Sequence, residues 1–205
     1  SPLWSISLLP RLSAVTVPVA TYVFVRLCYT LFPETLVQAS EIIVAVGAVN
    51  LIAGGICALA QRGLRLLLAF ICLGEVGFIL VGMGSLNTAG LVGAIYQQLM
   101  LGLGLAGFGL FAGLIAERVG HSEFLTESGN AAEKPFGGIA IRAPAIALVA
   151  GVVVASLLGF PGSGGFVGHA LLIIGSYSVH PLTVALTGGA LLLATYYLLT
   201  MYRHV

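Results

Sequence analysis

Across 205 residues the chain is 59% hydrophobic and 7% charged, with a mean hydropathy of +1.11. Soluble domains carry about 25% charged residues, so this chain lacks the side chains to cover a water-facing surface. A disordered tail and a secreted disulfide scaffold are excluded on the same ground. Eight Lys/Arg against seven Glu, with no Asp, leave a net charge of +1, which excludes the clustered basic surface that nucleic-acid binding requires.

The lipid bilayer is therefore the expected solvent, and runs of about 20 apolar residues are the expected elements. The first is Leu12–Phe32, approached by the apolar Ser1–Leu9, carrying Arg26 as its one charge and ended by Pro33-Glu34. The second is Ile42–Ala60, free of charge but holding Asn50. The third, Leu64–Gly84, contains Arg65 and Glu75, and the fourth, Leu91–Ala116, closes at Glu117-Arg118. Residues 117–142 form a polar loop. An apolar stretch over 143–177 follows, interrupted by Gly159-Phe160-Pro161-Gly162-Ser163-Gly164-Gly165, and Pro181–Tyr202 is the last run. The start at Ser1, without a signal-peptide pattern, reads as a processed chain or a piece of a longer one.

Unbroken, a helix over 143–177 would reach ~52 Å, well beyond a ~30 Å hydrocarbon core. Each half of it alone is too short to cross. One crossing by a helix broken at Pro161, Gly162, Gly164 and Gly165 gives about six transmembrane helices in a single all-α domain over 1–205. The charges test this count independently. Arg11, Arg62, Arg65, Arg118, Lys134, Arg142 and Arg203 then lie on one side or at its boundary, with the 117–142 loop, while 33–40, 85–90 and 178–180 hold no Lys or Arg. The positive-inside rule turns that side to the cytoplasm or its equivalent. Two crossings by the broken stretch would strand Arg203 on the opposite side.

Ionisable groups at membrane depth are costly and mark function. Glu75 lies near mid-membrane with no charged neighbour one helical turn away. His169 follows the Gly/Pro break, where unpaired backbone groups are tolerated only in protein or beside a wet cavity, and an imidazole there can relay protons or sit as a buried hydrogen-bonded group. Arg65 is a third candidate and equally a residue that snorkels to the interface, as is Arg26. Gln97, with Gln98, Asn50 and Tyr96, could link such groups or bond helices together. Cys28, Cys57 and Cys72 lack metal-site spacing and read as small buried hydrophobes. No nucleophile triad, CxxC, HExxH or phosphate-loop pattern is present, so catalysis by this chain alone, or a cofactor or metal bound to it, is not expected.

Three stretches together resemble the antiporter-like membrane subunits of respiratory complex I (NADH–quinone oxidoreductase), its M-type chain above all, which share ancestry with multisubunit Na⁺/H⁺ antiporters. They are Tyr22-Val23-Phe24-Val25-Arg26 through Leu31-Phe32-Pro33-Glu34, Ala60-Gln61-Arg62-Gly63-Leu64-Arg65 through Gly77-Phe78, and Leu157-Leu158-Gly159-Phe160-Pro161-Gly162-Ser163-Gly164-Gly165-Phe166-Val167-Gly168. Shorter matches at Gly93-Ala94-Ile95 with Gln97 and at Glu117-Arg118 fall between them. The resemblance runs the length of the chain but covers only the family's later half. It implies inverted five-helix repeats, each with a broken helix, and a row of buried charged residues along the membrane. Its residue pattern is only partly kept: Pro18 stands where a buried lysine is expected, Arg65 where lysine is usual, Glu75 and Leu101 where histidines are expected, and His169 where a glutamate is expected.

The resemblance implies a membrane-arm subunit of a complex I-like NADH:quinone oxidoreductase, contributing to proton translocation or a remnant of it, in a bacterial inner membrane or organellar equivalent. Its expected partners are the other membrane subunits and the lipid bilayer, and not nucleic acid. The alternatives are a structural subunit that does not pump and a cation/proton antiporter subunit.

Overall fold

A computed structural model of the chain describes residues 3–61, 64–119, 143–179 and 181–203. Every regular element among them is helical: α1 (Leu3–Phe24), α2 (Pro33–Leu59), α3 (Leu64–Gly84), α4 (Thr88–Val119), α5 (Pro144–Leu157), α6 (Gly164–Tyr177) and α7 (Pro181–Arg203). α1 begins ahead of the expected Leu12 and runs on through a π-helical turn, Val25–Tyr29, which carries the exposed Arg26. Three segments among the described residues are long and apolar enough to cross a membrane, Pro33–Leu59, Leu66–Gly84 and Thr88–Leu114, while Ala14–Tyr29, Pro144–Leu157 and Gly164–Tyr177 are shorter apolar helices.

Expected connections are corrected: Thr88 already opens α4 within 85–90. Residues 33–40, read as a connection, are the first turns of α2. Proline suits the first helical turn because its missing N–H would have no partner there, and Glu34 beside it complements the positive end of the helix dipole. Pro33 thus separates α1 from α2 by starting the second helix. At the other end of the polar loop Glu117, Arg118 and Val119 continue α4, and 120–142 lie outside the described residues.

Apolar and polar residues are arranged for lipid. Ile42, Leu103, Leu148, Leu182 and Leu192 stand outward, each more than half exposed, while Glu75, Gln97, Gln98 and His169 are buried among Phe78, Leu101, Leu105 and Leu172. In water that distribution would be unfavourable on both counts; in hydrocarbon it is favourable on both. Helix association then depends on close backbone approach, since lipid is as apolar as leucine. α2 and α3 meet through Gly47 against Gly77 and Gly54 against Gly74. A Cβ at Gly77 would stand 2.6 Å from the Gly47 oxygen and one at Gly54 2.6 Å from the Gly74 nitrogen, so any side chain forces the helices apart.

A second seam joins α4 to α6. Gly90 faces Gly175, a Cβ at Gly93 would stand 2.8 Å from the Leu172 nitrogen, and one at Gly168 would run into the Gln97 amide. The two helices are therefore held in a register that faces Gln97 with the turn bearing His169. The register is also pinned at one end. Asn87 caps α4, its Oδ1 accepting from the Gly90 N–H at 2.7 Å, while its Nδ2 donates to the Gly175 carbonyl in the last turn of α6. One side chain serves both an N-terminal amide and a C-terminal carbonyl that their helices leave unpaired.

Candidate functional site

α5 and α6 are the two halves of the interrupted stretch, separated by a turn over 158–163. The turn needs a left-handed backbone twice, at Gly159 (φ +64) and Gly162 (φ +97), conformations that only glycine adopts cheaply. Its polar groups are answered locally: the Phe160 N–H donates to Ala155 O at 2.9 Å, and the Ser163 N–H and hydroxyl donate to Phe160 O at 2.9 and 2.7 Å. Of the residues expected to form the hinge, Pro161 and Gly162 lie in this turn and are exposed, whereas Gly164 and Gly165 open α6. Gly164 packs on Met100, where a Cβ would stand 2.5 Å from its sulfur, and Gly165 packs on the Ser156 carbonyl.

Beyond the break, α6 carries His169 into the interior, 4% exposed. Its Nδ1 lies 2.8 Å from the Gly165 carbonyl. A carbonyl can only accept, so Nδ1 carries the proton and Nε2 is the nitrogen left to exchange one. Nε2 faces Glu75 Oε1 at 3.4 Å. That separation is an ion-pair contact and longer than a hydrogen bond, and Nε2 has no hydrogen-bond partner among the described residues. Phe78 covers the imidazole, ring centroids 5.2 Å apart at 38°, and Gly159 is drawn so close that a Cβ there would stand 2.7 Å from Nδ1. Gly159 is thus required twice, by its φ and by this ring.

Glu75 lies at the middle of α3, 8% exposed. Gln97 of α4 donates from Nε2 to Glu75 Oε2 at 2.9 Å. The acceptor-only carboxylate fixes which way that amide points. Gln97 Oε1 consequently faces the Gly168 backbone and has no donor. Glu75, Gln97 and His169, drawn from α3, α4 and α6, form one buried cluster.

A lone pair on Nε2 and lone pairs on a carboxylate cannot face each other without cost, so the pair is stable with one proton between them: imidazolium with carboxylate, or neutral imidazole with carboxylic acid. The arrangement can therefore hold a proton and pass it over a short distance. The positions where a histidine and a glutamate are expected from the family resemblance hold glutamate and histidine instead, and the two are in contact.

Other candidates stand apart from this cluster. Arg65 is in the first turn of α3, ten residues before Glu75 and so ~15 Å away along the helix; its side chain lies outside the described residues. Arg26 is exposed. Gln98 is buried with an unpartnered Oε1, and Asn50 and Tyr96 are half-buried; no hydrogen bond among the described residues joins any of them to Glu75 or His169. Leu101, one turn beyond Gln97, is fully enclosed in apolar packing, and Pro18 lies against α4 at Gly102, 3.3 Å from a Cβ placed there. Among the described residues, the polar cluster ends toward α1 at Gln97.

A residue the sequence reading passed over is Asn87, which ties α4 to α6 and so sets the turn bearing His169 against Gln97. Its position immediately before α4, three residues ahead of Gly90, is a helix-capping signal and was legible as such.

Comparison with known proteins places the chain. The transmembrane family described as NADH:quinone oxidoreductase/Mrp antiporter matches residues 2–195. NADH-quinone oxidoreductase subunit M of Rickettsia prowazekii is 25% identical over 194 residues, covering 95% of this chain and 38% of that protein. A chain of respiratory complex I from Thermus thermophilus, solved with bound NADH, superposes with a TM-score of 0.81 at 28% identity, covering 89% of this chain and 37% of that one. A chain of the Mrp complex from a Dietzia species superposes with a TM-score of 0.85 at 22% identity over 95% of this chain and 35% of its own, a likeness of fold. The chain spans less than two fifths of the length of the relatives it matches.

Proposed function

The chain belongs to the NADH:quinone oxidoreductase/Mrp antiporter family of integral membrane proteins, and from that premise we propose that it is the later part of an M-type membrane-arm subunit of a complex I-like NADH:quinone oxidoreductase, in which Glu75 and His169 relay protons. In this reading the chain crosses the membrane six times, with α5 and α6 counted as one broken crossing. Each of those halves has 14 residues, or ~21 Å of helix against a ~30 Å core. The basic side faces the cytoplasm of a bacterium or the equivalent side of an organelle, and electron transfer belongs to partner subunits that carry the redox groups.

The contact between His169 Nε2 and Glu75 Oε1 carries the proposal. The proton moves between these two atoms when the 3.4 Å gap closes to the ~2.7–2.9 Å of a charge-assisted hydrogen bond. Gln97 does not take the proton. It holds Oε2, so that Oε1 stays aimed at the imidazole, and the Gly165 carbonyl holds Nδ1–H, so that only Nε2 exchanges.

A non-pumping structural subunit is the second reading, favoured by the apolar packing at Leu101 and Pro18, which leaves the cluster without a polar continuation toward α1 among the described residues. Proton pumping by the reconstituted native assembly separates the two. Glu75→Gln and His169→Ala should each lower the protons moved per electron pair while electron transfer continues. Unchanged stoichiometry in both variants would establish the structural role instead.

A further inference from the structure

Glu75 has a second face. On the flank of α3 away from His169 and Gln97, a cleft leaves about 20 Å³ of room for the centre of a water molecule, between Leu51 and Gly55 of α2, Gly74 and Glu75 of α3, and Leu191 and Ala194 of α7. That is enough for about one water. Five of those six residues are leucine, alanine or glycine, Ile71 of α3 lines the cleft beside them, and Glu75 is the one side chain there that binds water strongly. The two glycines leave helix backbone as the wall on either side of the carboxylate.

The carboxylate also has capacity to spare. Two oxygens offer roughly four acceptor sites, yet Oε2 accepts one hydrogen bond from Gln97 and Oε1 meets only the long contact to His169. A buried carboxylate so sparsely bonded is costly, and a water with one wall of the cleft to itself offsets that cost. α7 also leaves room at this point of α2: a Cβ at Gly55 would come no nearer than 3.9 Å to Leu193.

We propose that this cleft is a hydration site and the port through which Glu75 exchanges protons on the α2–α7 side, so that the carboxylate stands between two proton partners, a water on one flank and His169 on the other. The port rests on the relay reading above. It makes Glu75 the hub of the cluster, and it gives the small residue at position 55 a function: to keep a larger side chain out of the water's place.

Gly55→Leu and Ala194→Leu, introduced into the full-length protein in its native membrane assembly, fill the cleft without touching Gln97 or His169. A cryo-EM structure of the wild-type assembly at a resolution that shows ordered water should contain a water within hydrogen-bond distance of the Glu75 carboxylate, and the Gly55→Leu structure should lack it. Both filled variants should pump several-fold more slowly with assembly and electron transfer retained, and Gly55→Ala, whose methyl finds open space, should pump near the wild-type rate. A dry wild-type cleft, or filled variants that pump normally while Glu75→Gln does not, would overturn the port and leave the relay standing. Normal pumping by Glu75→Gln would overturn the relay and the port with it.

Discussion

A carboxylate and an imidazole in contact inside an apolar bundle must share a proton, and each depends on the other. Leaving either partner alone in such a site costs on the order of 3–5 kcal/mol. Because the contact is between two side chains of similar reach on facing helices, exchanging them should preserve it. Glu75→His pairs two imidazoles and His169→Glu pairs two carboxylates, so each single variant should lower the thermal unfolding temperature of the purified assembly, whereas the double exchange should recover most of the loss. Additive losses in the double variant would show that the two residues do not interact. Each departure from the family's pattern, Glu75 for a histidine and His169 for a glutamate, reads alone as a lost group. In the fold the two are complementary, an acid and a base in contact.

At the scale of elements, the site depends on how α6 seats on α4. Small residues at Gly90, Gly93, Gly168 and Gly175 permit the approach, and Asn87 fixes its register by bonding to both helices. Asn87→Ala should cost ~1–2 kcal/mol through the lost cap alone. Asn87→Asp should be informative beside it: the acceptor that caps α4 remains, but the donor to the Gly175 carbonyl is gone, so that α4 is served and α6 released. Thermal unfolding reports the first effect. A fall in pumping with Asn87→Asp at nearly unchanged stability reports the second. Gly159→Ala tests the break itself. Left-handed backbone costs an alanine ~1–2 kcal/mol, and its methyl would stand 2.7 Å from His169 Nδ1, so this variant should lose stability and pumping together. The broken helix was visible in the sequence from its Gly/Pro cluster. The role of Gly159 was not, because a glycine required by its own φ and one required by a distant ring are written alike.

For the whole molecule, the alternation of apolar runs and breaks set the helices closely, since at membrane depth a chain has few ways to satisfy its backbone. Leu64–Gly84 is both the expected third run and α3, and Pro181 opens both the expected last run and α7. The boundary misplaced at 33–40 turned on proline, which ends a helix and begins one with equal ease. The proposed topology has a direct check. A cysteine introduced in 120–142 should be labelled by an impermeant thiol reagent from the cytoplasmic side, and one at 178–179 from the opposite side, in a background with Cys28, Cys57 and Cys72 replaced. Labelling of both positions from the same side would reject the six-crossing arrangement with its broken helix counted once.

Composition alone determined the solvent of this protein, and the positions of its few charges determined the proposed orientation, because burying a charge in hydrocarbon is costly enough to constrain the chain wherever one occurs. Glu75 and His169 were likewise marked as candidates by their depth in the sequence alone. What only the tertiary structure decided is that they meet, that Gln97 holds the carboxylate, and that a cleft opens on the far flank of α3. Those facts depend on the rotation and register of α3, α4, α6 and α7 about one another. Glycine seams and a capping asparagine set that register between residues far apart in the chain, where no local pattern records it.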